Sequence, residues 1–188
     1  MKRGTFLAKF LLTLPILLVP SFLKSQDMIM TKDEFSKQLE NAKTLGDLAV
    51  IIERMSSMES NFSIEGPWSI GTVFSHCAQS IRYSISGYPE MKSAIFRGTV
   101  GNIAFSIFSL RGKMRHGLEE PIPGGEKLEF KIPFLNGKKE LIEAMSYFES
   151  TKTEDLKPHF AYGALSKKDY DTAHVLHIKN HFERIYLI

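Results

Sequence analysis

Apolar residues recur along most of this chain at three- and four-residue steps, the spacing of one face of a helix. Phe35, Leu39, Leu45, Leu48, Ile51 and Ile52 trace such a face over 33–58. Thr31 and Glu34 form a capping-box start, and Thr44-Leu45-Gly46 marks a break within the segment. A loop is expected over 59–68. Ile70, Val73, Phe74, Cys77, Ile81 and Ile85 predict a second helical region over 69–86, stopped by Gly87. A third, over 92–113, has Ile95, Phe96, Ile103, Phe105, Ile107, Phe108 and Leu110 as its apolar set, with Gly98 and Gly101 inside it. The stretch 115–135 is rich in Pro and Gly and reads as a long structured connection. Further helices are expected over 136–151 and from Ser166, a cap with Asp169 three residues on, to the chain end. Alternating, strand-like patterns are scarce. About five helices with long connections predict an all-α bundle.

The last helix breaks the simple pattern. At about 100° per residue, Tyr170, His174, His177 and His181 fall within about 60° of arc, one stripe over three turns. Apolar residues lie on both sides of it, Val175 and Phe182 on one and Leu176 on the other. A stripe flanked in this way points inward, where unpartnered imidazoles are costly. One divalent ion partners several of them at once. His177 and His181, at i and i+4, have the spacing for a shared ion. Ile178 stands where a zinc protease needs Glu, which argues against that chemistry. A third ligand must come from another element. His76, at the edge of the apolar stripe of 69–86, is the best placed, with His159 and His116 weaker choices in loops. Tyr170 and His174 are the candidate catalytic groups, as proton carriers or orienting partners, and packing is the plainer role for both. Cys77 lies on a core stripe and reads as a small buried hydrophobe.

Composition changes this picture little. The chain has 188 residues, 43% hydrophobic and 24% charged, which suits a folded domain rather than a disordered one. The net charge of +3 is spread, with no basic block interleaved with aromatics, so nucleic acid is not an expected partner. A single cysteine excludes an intrachain disulfide and a cysteine zinc site. Residues 1–26 differ from the rest. Lys2 and Arg3 precede an apolar run from Phe10 to Leu23, shorter than the roughly 20 residues of a membrane span. They read as an export signal or N-terminal anchor, giving a periplasmic or envelope-associated protein that meets the membrane only through this segment. The folded domain then occupies 27–188.

The stretches "GPWSIGTVFSHCAQSIRYSISGYP", "FRGTVGNIAFSIF", "PHFAYGALSKKDY" and "HVLHIKNH" resemble the DinB-like metalloenzyme superfamily, in particular its branches of unknown function carried by exported bacterial proteins. The resemblance covers roughly residues 30–188. It implies an up-and-down four-helix bundle, here with an extra helix and long loops. It also implies zinc or nickel held by His76, His177 and His181, with His174 as a supporting or substitute ligand. Some relatives are thiol-dependent S-transferases or isomerases, which implies a small-molecule substrate such as a low-molecular-weight thiol. A transferase, or a hydrolase activating water, is the expected enzyme. The alternative is a non-catalytic exported protein whose metal is structural. A homodimer is compatible with either.

Overall fold

The computed structural model describes residues 30–188. The signal or anchor expected over 1–26 lies outside the described residues. Among the described residues no helix is long and apolar enough to cross a membrane.

The protein is mostly helical. Helix α1 (Lys32–Asn41) starts at Thr31, whose hydroxyl accepts from the Glu34 N–H. The expected break falls after Asn41, and Thr44 and Asp47 form a full capping box for α2 (Leu45–Ser56). Helix α3 (Ile70–Ser86) is capped by Ser69 and ends at Gly87, whose φ of 102° suits glycine. Its buried positions go right round the helix, from Ile70 to Ile85. Helix α4 (Ala94–Phe96) runs through a π-helical turn, Arg97–Gly101, into α5 (Asn102–Arg111). Helix α6 (Phe134–Ser150) begins two residues earlier than expected and buries Phe134, Gly137, Leu141, Met145 and Phe148 as one stripe. Helix α7 (Lys167–Phe182) opens on the Ser166–Asp169 capping box.

The final helix does not run to the end of the chain. Its last residues form β2 (Ile185–Leu187), antiparallel to β1 (Phe62–Ile64), with Phe62 opposite Leu187 and Ile64 opposite Ile185. Ile185 is buried and Tyr186 exposed, the two-residue alternation of a strand. Three such residues are too few to stand out in the sequence against a helical background.

Helix α2 touches α6 and α7, and α3 touches the same two, which closes a ring of four helices around the core. Helix α1 leans on α2 and α7, and α5 on α7. The tightest crossing is between α3 and α6. A Cβ on Gly137 would run into the Gly71 backbone, and one on Gly71 into the carbonyls of Ile132 and Pro133. The connection 112–133 has no regular structure, yet it is sewn along α3. Gln79 donates to the Glu126 carbonyl at 3.0 Å, Thr72 to Glu129 at 2.8 Å and Ser69 to Ile132 at 2.8 Å. Those side chains satisfy carbonyls that no ladder would otherwise pair.

The region 94–111 departs from expectation. Of its apolar set only Phe105 is buried, while Ile95 is 80% and Leu110 89% exposed. Periodicity defines a face but does not say which way it points.

Candidate metal centre

His76 projects from the middle of α3, and His177 and His181 from successive turns of α7, where that helix lies against α3. The three rings meet. The Nε2 atom of His177 lies 3.2 Å from that of His76 and 3.1 Å from that of His181. One donor atom from each of the three lies within 4.8 Å of the others. Nitrogens about 2.0–2.1 Å from a tetrahedral ion are about 3.3 Å apart, so the spacing fits a shared ion. Without a cation the arrangement is poorly satisfied. A ring nitrogen carries either a proton or a lone pair, so His177 Nε2 cannot be donor to one neighbour and acceptor from the other.

His76 and His181 are almost wholly buried, at 2% and 1% exposure. Burial, with a smaller contribution from neighbouring His116, pushes His76 down to about 4. Burial and the repulsion of His76, His116 and Arg184 push His181 to about 2. His177 is driven well below its ordinary value, by burial first and then by the surrounding histidines. All three are therefore neutral near pH 7, the form a metal binds. Trp68 walls the group, with its ring 5.1 Å from His76 and stacked on His181 at 6.3 Å. The His76 Nδ1 is buried without a hydrogen-bond partner.

A cavity of about 230 Å³ opens beside this group. His76, His116, His159, His174 and His177 all line it, so five of the six histidines face one space and His181 completes the trio behind it. His159, a weaker candidate for the third ligand, is not in the trio. Its Nδ1 accepts from the backbone N–H groups of Ala161 and Tyr162, at 3.1 and 3.2 Å, so the proton of the neutral ring sits on Nε2. Its ring stacks on Tyr162 at 4.2 Å. Burial, and secondarily His174, lowers it to about 3.

The two candidate catalytic groups part company. His174 lines the cavity, with Nε2 3.2 Å from Ser84 Oγ. Ser84 already donates to the Ile81 carbonyl at 2.6 Å, so His174 Nε2 is the donor and its lone pair is on Nδ1. Burial lowers His174 to about 3. Tyr170 does not line the cavity. Its hydroxyl donates to the Lys157 carbonyl, its ring stacks on His174 at 5.4 Å, and burial pushes the phenol up. Cys77 is fully buried, and burial pushes its thiol up too, so it is an inert core residue.

Sequence reasoning did not single out Trp68, nor the approach of His116 to the trio. The His116 ring stands 4.9 Å from His177 and 5.0 Å from His181. Its early signal was its rank as a weaker choice of third ligand, in a loop.

The profile of a family described as "Protein of unknown function (DUF1569)" matches residues 36–186, a span that includes all six histidines. No curated protein and no solved structure matches the chain.

Proposed function

The chain belongs to the DUF1569 family of proteins of unknown function, and on that premise we propose that it is a divalent-metal enzyme acting on a small molecule. The convergence of three Nε2 atoms from α3 and α7 carries this reading. Their imidazole donors suit zinc or nickel. A bound ion supplies Lewis-acid chemistry, lowering the pKa of a water or thiol that reaches it. We place the family among DinB-like proteins, and read the ring of α2, α6, α3 and α7 as an up-and-down four-helix bundle.

The chain's own residues define what the cavity accepts. At about 230 Å³ it is smaller than the usual pocket for a drug-sized ligand. His159 offers a fixed Nε2–H to an oxygen or other acceptor of the substrate. His174 offers an unprotonated Nδ1, with Tyr170 bracing its ring from behind. A fixed donor and a fixed acceptor lining the same cavity orient a small polar molecule whose other end, a thiol in our reading, turns toward the three histidines. Export directed by residues 1–26 is part of the same proposal.

Metal analysis by mass spectrometry, on protein purified without a polyhistidine tag, tests this. We expect about one zinc or nickel ion per chain, and its loss in His177→Ala protein that keeps its helical circular dichroism. A metal-free protein that takes up neither ion would refute the proposal. Unfolding of His177→Ala on metal loss would instead support a structural metal that pins α3 to α7.

A further inference from the structure

We propose that His116 is a fourth, exchangeable metal ligand, delivered by the 112–133 connection to close the position that the three clustered histidines leave open. This inference rests on the metal reading above. Three observations carry it. First, imidazoles that share a four-coordinate ion have ring centroids about 5 Å apart. The trio shows 5.1, 4.7 and 4.8 Å between its rings. His116 stands at 4.9 Å from His177 and 5.0 Å from His181, the same spacing. Its nitrogens are not in the mutually close group, so ligation needs a rotation of the side chain.

Second, the tautomer is fixed. His116 Nδ1 lies 2.7 Å from the Gly117 carbonyl, which only accepts, so Nδ1 carries the proton and Nε2 the lone pair. A ligand imidazole is ordinarily set in this way, with its second nitrogen donating to a carbonyl or carboxylate.

Third, the segment around His116 is clasped to the end of α7 on both sides. Lys113 Nζ pairs with Glu183 at 2.9 Å and Arg184 with Glu119 at 2.7 Å. Glu183 and Arg184 follow His181 by two and three residues, so the clasp holds His116 over the trio. Met114, beside it, is buried at 5% exposure and anchors the strand of chain between the two pairs. His116 itself is exposed. It can therefore leave without breaking the core, whereas His76 and His181 cannot. Release of His116 uncovers the ion toward the cavity that His116 also lines.

Cobalt(II) in place of the native ion makes the test optical. Full-length protein loaded with cobalt is compared with His116→Ala, using visible absorption, X-ray absorption and metal titration. We expect four imidazoles around the ion in the wild type and three in the variant. The variant's visible bands should shift, and its metal affinity should fall about tenfold. 2-Mercaptoethanol, added as probe, should bind the variant's ion at lower concentration, because no side chain competes. Glu119→Ala, which opens one clasp, should move the spectrum in the same direction by a smaller amount. Cobalt held with unchanged spectrum and affinity in His116→Ala would overturn this inference and leave the three-histidine centre standing. Failure of the wild type to take up cobalt, zinc or nickel would overturn both.

Discussion

Helix α7 and the stretch 94–111 are opposites. Helix α7 carries two histidines, an asparagine and a tyrosine at buried positions, with His177 half-buried between the two histidines. The stretch 94–111 is the more apolar of the two, yet Ile95, Val100, Ile103 and Leu110 are all more than half exposed. Hydrophobicity alone would have exchanged their places. Position is decided by whether a helix has partners on every side. Helix α7 is packed by α1, α2, α3 and α5, so even its polar residues are enclosed. Polar groups kept inside at a cost in stability point to chemistry.

The largest effect expected on this contrast comes from the enclosed side. His181→Ala removes a buried ring from the trio and should lower metal affinity by more than about 100-fold, since even outer partners of metal ligands are worth about 10–100-fold. Dialysis against a competing chelator measures it.

Acid is a second way to break the same helix. His159 and His174 are neutral in the fold down to about pH 3, but an unfolded chain protonates its histidines near 6.5. The unfolded state therefore binds more protons between those values, and folding stability falls as the pH is lowered through that window. The slope is at most about 1.4 kcal/mol per pH unit for each ring. Urea denaturation of the metal-free protein at a series of pH values should show this, and His174→Gln should flatten the curve.

Two smaller tests sharpen the comparison. Gly101 is the inward point of 94–111, and a Cβ there would meet the Ala161 carbonyl. Gly101→Ala should cost about 1–3 kcal/mol by overpacking, read as a lowered urea midpoint. Leu110→Ser on the outer face of the same stretch should change stability by no more than about 0.5 kcal/mol. A loss above about 2 kcal/mol there would mean that the exposed face is covered in solution.

These contrasts also explain what the sequence made legible. The stripe of Tyr170, His174, His177 and His181 could be read because helix geometry fixes the angle between residues on one element. The breaks at Thr44 and Gly87, and the caps at Thr31 and Ser166, are local chemistry and fall where expected. His76 could be ranked above the other partners because it lies on a helix with an apolar face. His159 and His116 sit in loops, where no period relates a residue to its neighbours in space. Their place at the cavity depends on the Ala161 and Tyr162 amides and on two ion pairs to α7, contacts between distant parts of the chain. The helix over 94–111 was visible, but its outward orientation was not. Orientation depends on which helices are already paired, and the closest pairing in this fold is that of α3 with α6 at Gly71 and Gly137.

The most direct test is a calorimetric titration of metal-free, untagged protein with zinc, run beside His76→Ala. We expect binding of one ion per chain by the wild type, with release of few protons at pH 7 because the three imidazoles are already neutral, and no binding of comparable affinity by the variant. Equal binding by both proteins, or no binding by the folded wild type, would contradict it.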